Sequence, residues 1–505
     1  MDTGSRSRWL CTFPVALLLG VLLGSPLARP GAPDAPEVHS SPGEPVELWF
    51  VVKIAGSPVG FASETRMSIA DGLRARSTLR LDMSRMGQPI TMLMSSEAVD
   101  DRDGRMRSLE IALQSSMMEV RTTAVLEGDT VRHRSQSAGF EQTENIPWEE
   151  GALGAAAADL HVARELRAGS RSFSYRVFDP DRRGFATMRV QRVDAKPEQI
   201  DGRAQQPLAF EECEGDDTVP LSTTWFDEDY LPFRVVFVQM GMEIVLERVT
   251  PQEMKTIDLE PDFDVIRHST IPCEGFPLEP SAVEDVTLRL EFSRPTWKAE
   301  DFSGPNQQVV GQGEDWLELR LTRQTSQRIT VPGDRLSDFL LPDRYIQSEH
   351  PEIAAAAESV RAASGAQGGW DLAVEIAKWV NTHVREKDYG RGFATALEVL
   401  RDRSGDCTEH SVLLAALLRS AGIPARPVVG LACGQNRLVG HMWVEAYVDH
   451  WRTLDALDPD TDPIRIRIRA AEDERAVDER DIVRAYSVVG GMRASVIGAT
   501  PRAGR

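Results

Sequence analysis

The sequence predicts an α+β protein in which an antiparallel β-rich region precedes a domain of helices followed by strands. Three observations lead there. From Val46 to about Glu247, short apolar runs alternate with turn signals and are interrupted by one helical stretch. From Ile353 to Leu418, apolar residues recur at helical spacing instead. From Gly440 the pattern returns to strict alternation, with a hairpin signal at Asp449-His450.

Length and charge bound the function. A chain of 505 residues is too long for one ordinary core, so two to three domains are expected. A hydrophobic fraction of 41% with 27% charged residues is globular. The net charge of −21 repels phosphate, and no basic stripe with interleaved aromatics appears, which excludes nucleic acid as a partner. The same charge disfavours an anionic membrane surface and is accounted for by solubility.

In chain order, residues 1–28 read as a signal peptide. Arg6 and Arg8 precede the apolar run Trp9 to Leu23, and Ser25-Pro26-Leu27-Ala28 supplies small residues for cleavage. The run has the length of a signal core and is short for a membrane span, although an uncleaved anchor is the alternative. Cys11 lies too early in it for lipid attachment. No second hydrophobic span follows. The mature protein is therefore expected to be exported, periplasmic or secreted, with no stable membrane span. Residues 29–45, rich in Pro, Ala and Ser, read as a linker.

Residues 46–280 are expected to form the β-rich domain. Strands are predicted at Leu48 to Ile54, Val59 to Ile69, Leu73 to Met83, Pro89 to Ser96, Met106 to Leu113, Met118 to Leu126, Phe173 to Phe178 and Ala186 to Val193. One helix, Ala152 to Leu166, interrupts them, and Thr224 to Arg248 closes the region as a meander. Strand rhythm and Gly60 after the opening strand resemble the large curved sheet with an inner helix of some periplasmic lipid- or lipoprotein-handling proteins. Seven methionines between Met83 and Met118 are ordinary sheet core, or a repackable surface for apolar ligands. Residues 281–334 form a second β segment, an accessory sandwich or part of the first domain. Residues 335–470 are assigned to the catalytic domain, with helices at Trp370 to Val384 and Phe393 to Arg401. Residues 471–505 are read as a charged tail, and Arg465 to Arg480 as a solvated helix or partner-binding stretch.

After the signal, four cysteines remain: Cys213, Cys273, Cys407 and Cys433. None makes a CxxC, so a zinc site is not expected, and neither is any other metal or cofactor. A Cys213–Cys273 disulfide would close about sixty residues and contribute roughly 4 kcal/mol in the chain-entropy model. Cys433 reads as a buried strand thiol and Cys407 as free.

The chemistry concentrates at Gly405-Asp406-Cys407-Thr408-Glu409-His410 and the apolar run behind it. Asp406 is a predicted N-cap and Gly422-Ile423-Pro424 a stop signal. Val412, Leu413, Ala416 and Leu417 make one buried face. Cys407 thus sits in the first turn of a core helix, where unpaired amides and the helix dipole favour a thiolate. His441 opens an alternating strand, with Trp443, Glu445 and Tyr447 on its face and Met442, Val444, Ala446 and Val448 on the other. The returning strand Trp451 to Asp455 brings Asp455 opposite Trp443 or Val444, one diagonal step from His441. Asp458 is the rival carboxylate, placed across from His441 by a tighter turn. Thiol, imidazole and carboxylate are the parts of an activated nucleophile. His410 is read as helix support, with a metal-ligand role as the alternative, and Trp443 as packing beside the imidazole. Tyr389 and the Cys407 amide are candidates to stabilise an oxyanion.

Ala394 to Leu400, Arg403 to Cys407, Gly422-Ile423-Pro424-Ala425-Arg426, Gly440 to Glu445 and Trp451-x-x-Leu454-Asp455 together resemble the bacterial transglutaminase-like superfamily over about 120 of the 505 residues. The resemblance implies a papain-like fold, with Cys407 as nucleophile, His441 as general base and acid, and Asp455 orienting the imidazole. The loop before the histidine is short, unlike that of the calcium-dependent animal enzymes, so their substrate specificity is not carried over. The expected reaction is attack on an amide carbonyl of a protein or peptide substrate, with the thioester released to water or to an amine. The competing reading is a non-catalytic cell-envelope scaffold that captures a ligand or partner through the β-rich region.

Overall fold

In the computed structural model of the protein, Val46–Ile54 pairs on one side with Ser57–Ile69 and on the other with Met242–Val249. The first strand of the region is thereby joined to its last. The structure describes residues 45–468 and 492–502, apart from short stretches that include 86, 116–118, 276–281, 324–327, 386–393 and 459–464. The expected signal peptide, nearly all of the expected linker and Tyr389 lie outside the described residues. The chain divides into two units, one of residues 1–84, 89–238 and 243–263, the other of residues 85–88, 239–242 and 264–505. The division near 263 falls before the expected boundary at 280.

The first unit is built on a 14-stranded sheet in which successive hairpins lie side by side. Alternation decides its register: in Gly72–Arg85, residues 75, 77, 79, 81 and 83 are buried while 76, 78 and 80 face water. Met83, Met94 and Met106 are core residues. The predicted helix forms as Ala155–Arg167 and packs Leu166 against Val190, Phe210 and Phe226 of the sheet. Its N-cap is Gly154, which has no side chain to cap with, and Asp100 supplies the acceptor by taking the Ala157 amide at 2.7 Å. A Cβ at Gly154 would lie 2.0 Å from the Asp100 carboxylate, so this close approach requires glycine. Burial raises the Asp100 carboxyl to about 7 despite its amide partners.

The second unit sets four helices, Pro351–Ser364, Gly369–His383, Ala396–Asp402 and Cys407–Ser420, beside a 9-stranded sheet. The Cys407–Ser420 helix is buried continuously from Thr408 to Arg419, where the sequence predicted one buried face. Neighbouring helices and the strand Arg437–Val448 surround it, and a helix apolar on every side belongs inside a core.

Three stretches differ from the sequence reading. Val283–Phe292, Gln307–Gln312 and Trp316–Thr322 belong to the same sheet as Arg437–Val448 rather than to an accessory sandwich. Met492–Pro501, within the expected tail, pairs with Val283–Phe292, and Arg465–Ile468 is a strand, not a solvated helix. The signal overlooked was the alternation of Arg465, Ile466, Arg467 and Ile468, which puts both isoleucines into the core. Cys213 and Cys273 are free thiols: Cys213 pairs across from Arg189 and Cys273 from Ala494, in different sheets.

Candidate functional site

Cys407 begins its helix through a reciprocal cap. The Asp406 side chain accepts the Thr408 amide at 2.8 Å, and Glu409 accepts the Asp406 amide at 3.0 Å. The other oxygen of Glu409 takes the Ala394 amide at 3.2 Å, tying the turn to the preceding helix. Burial and the Asp406 charge push the Glu409 carboxyl well above the carboxylate range. His410 Nδ1 donates to the Asp406 carbonyl at 2.6 Å, so this ring braces the first helical turn. Among the described residues no group of three or more His, Cys, Asp or Glu is arranged to hold a metal.

His441 is delivered by sheet register. Ala425–Gly434 runs beside Arg437–Val448 with Gly430 opposite His441. A Cβ at Gly430 would lie 2.6 Å from the Trp443 ring, so glycine leaves room for the indole. On the other edge Leu454 pairs with Val444, which brings Asp455 to the level of Trp443, one diagonal step from His441. That step is closed by a hydrogen bond of 2.6 Å between His441 Nε2 and Asp455 Oδ2. The Cys407 side chain lies near enough to the imidazole to favour its charged form. With Nε2 engaged by Asp455, Nδ1 is the nitrogen left for the sulfur.

The electrostatics follow from this geometry. Burial is the largest influence on His441 and opposes its charge, yet Asp455 and Cys407 together raise its pKa to about 10. Burial likewise opposes the charge on Asp455, and His441, Arg465 and the Leu457 amide overcome it, holding the carboxyl below its usual range. Asp458, the rival, instead takes Arg465 Nη2 at 3.0 Å and is half exposed. Cys407 and His441 are part-exposed, whereas Asp455 is 2% exposed, so the carboxylate is the closed end of the trio.

Around the trio lies a buried ion network that the sequence reading missed. Arg426 pairs across the strands with Glu445, at 2.8 Å from Nε and 2.7 Å from Nη2, and Arg467 Nε meets the other Glu445 oxygen at 3.1 Å. The Arg426 guanidinium also lies 4.2 Å from the Trp451 ring centroid. Arg426 and Glu445 both stood in the motifs quoted above. Their work is to lock the strands that carry His441, and a buried carboxylate paired in this way is costly to break.

Residues 354–456 match the family model of the transglutaminase-like superfamily. This segment is similar to the transglutaminase-like superfamily, and with the β-rich region before it the chain is α+β. A search of curated proteins found no match. Among solved structures, the chain is similar to a candidate cysteine protease from Cytophaga hutchinsonii at 18% identity, covering 43% of this chain and 87% of that one, with a TM-score of 0.26. A β-barrel-like protein of a domain of unknown function from Brucella abortus shares 11% identity over 41% of this chain and 96% of that one, with a TM-score of 0.31. A candidate protease from Parabacteroides distasonis shares 11% identity over 72% and 69%, with a TM-score of 0.18. Likenesses at these scores carry no argument about activity. No helix among the described residues is long and apolar enough to cross a membrane.

Proposed function

We propose that this protein is an exported thiol acyl-transfer enzyme of the transglutaminase-like type, acting on amide bonds of protein or peptide substrates. The reading is carried by one observation: a part-exposed cysteine beside an imidazole that is hydrogen-bonded to a buried carboxylate, within the segment that matches the transglutaminase-like family. Export rests on the charged start, apolar run and small residues of 1–28.

In the proposed reaction the Cys407 sulfur attacks the carbonyl carbon as a thiolate. A C–S bond forms, and the carbonyl electron pair moves to oxygen. The Cys407 amide, one of the unbonded N–H groups of the helix start, is the proposed donor to that oxyanion. Collapse breaks the C–N bond, and His441 gives its proton to the departing amine. Water or a second amine then attacks the thioester, His441 takes back a proton, and the thiolate leaves. Asp455 keeps the ring turned toward the sulfur and offsets its positive charge throughout.

Release to water makes a peptidase or amidase, and release to an amine makes a crosslinking enzyme. We favour hydrolysis, because an exported soluble enzyme meets water at every turnover. The test is mass spectrometry of the full chain incubated with a mixed peptide library and an added primary amine, run beside Cys407→Ala. Cleavage, deamidation or amine incorporation that vanishes in the variant supports the proposal. Peptides left unchanged, together with a Cys407 alkylated at pH 6 no faster than a free thiol, sink it in favour of the scaffold reading.

A further inference from the structure

The strand Arg465–Ile468 runs beside Ala425–Gly434, with Arg465 paired to Ala432 and Arg467 to Gly430. Arg465 and Arg467 are two apart, so both side chains leave the same face of the strand. Each meets a buried carboxylate: Arg467 meets Glu445, and Arg465 Nη2 lies 3.0 Å from Asp455 Oδ2. That oxygen is the one bonded to His441 Nε2. The other oxygen of Asp455 accepts the Leu457 amide at 2.8 Å. Arg465 Nη2 also lies 3.0 Å from Asp458 Oδ2.

We propose that Arg465 is a positioning residue for the acyl-transfer site, fixing the Asp455 carboxylate in the charged, oriented state that lets it grip His441. The inference rests on the proposed function and adds a fourth and fifth member, so that the line runs Cys407, His441, Asp455, Arg465, Asp458. A carboxylate that is 2% exposed is ionised only where cationic or N–H partners replace its water. His441 is the changing partner, because it gives and regains a proton in each cycle. Arg465 is the constant one, charged at every working pH. It keeps Asp455 ionised at the moment the ring is neutral, when an isolated buried carboxylate would draw a proton. An arginine suits the place, since it holds its charge when buried and its Nη2 reaches both carboxylates. The charged groups bearing on the imidazole are Asp455 and Cys407, and those bearing on Asp455 are His441 and Arg465.

The test needs no substrate. The rate of Cys407 alkylation by iodoacetate, whose carboxylate is drawn to the thiolate while the imidazolium stands beside it, is measured against pH with the site located by peptide mass, for the full chain, Arg465→Met, Arg465→Lys and Asp458→Asn. In the parent protein a thiolate–imidazolium pair gives a fast plateau that ends on its alkaline side where His441 loses its proton. With Arg465→Met that alkaline limb moves at least one pH unit lower and the plateau narrows. Arg465→Lys restores most of it. Asp458→Asn, a half-exposed site that folding tolerates, moves the limb the same way by less. A limb unmoved in Asp458→Asn and in folded Arg465→Met, or moved to higher pH, overturns the role of Arg465 while leaving the nucleophile intact. A parent protein without the fast plateau overturns the underlying reading as well.

Discussion

The indole of Trp443 lies against the imidazole of His441, with ring centroids 5.9 Å apart and planes 29° from parallel. Trp443 is 2% exposed and comes from the same strand face, so it walls one side of the ring against water. Trp443→Ala leaves the hydrogen-bonding groups in place but opens that wall and a large cavity. The expected result is a tenfold or greater loss of Cys407 alkylation rate at pH 6, with the unfolding midpoint in urea lowered by the equivalent of about 3 kcal/mol. An unchanged rate in a folded variant would mean the indole is packing alone.

The Asp455 carboxylate lifts the pKa of His441 to about 10 against its burial. A raised folded-state value on a histidine means stability fully present below about pH 6.5 and lost as pH climbs through about 10. Urea unfolding of the full chain is therefore expected to weaken over that window. Asp455→Asn removes the slope and moves the alkaline limb of thiol alkylation toward neutrality. Equal slopes in parent and variant would count against the ion pair.

Asp100 carries the opposite linkage. Burial raises its carboxyl from 3.8 to about 7, so folding is penalised as pH rises across that interval. Asp100→Asn keeps an oxygen for the Ala157 amide and carries no charge. Its advantage over the parent is expected to be absent near pH 4 and to reach about 2–4 kcal/mol by pH 8. Thermal melts of the two proteins at both pH values check this, and a constant difference would refute it.

Gly154 offers a test of close approach. With Asp100 Oδ1 2.0 Å from where its Cβ would stand, Gly154→Ala forces the helix Ala155–Arg167 away from its cap. A loss of about 2 kcal/mol or more is expected in urea unfolding. A neutral result would show that the helix start can shift at little cost.

Much of this was legible in local pattern. The Asp406 cap, the strand alternation around His441 and the hairpin at Asp449 are short-range features, and each of these three appears within a few residues of its place. Turn length alone left two places for the third residue. The observed pairing of Leu454 with Val444 directs Asp455 to His441 and Asp458 to Arg465. Burial around the Cys407–Ser420 helix was underestimated because a second apolar face built from Ala415, Leu414 and Leu418 does not stand out beside the stronger stripe. Arg465 was missed because its period-two signal is short and the charged stretch after it resembles solvated sequence.

By itself the sequence determined the residue types, the local elements that present them, and the order in which thiol, imidazole and carboxylate arrive. Periodicity and capping act over a few residues, so they can be read from neighbours alone. Only the tertiary structure decided which carboxylate meets the imidazole, that a strand beginning ten residues after Asp455, by pairing with Ala425–Gly434, brings Arg465 to it, and that the last strand, Met492–Pro501, closes on Val283–Phe292. Those choices depend on register and burial between segments distant along the chain. There, desolvation makes a charge tolerable only beside its partner.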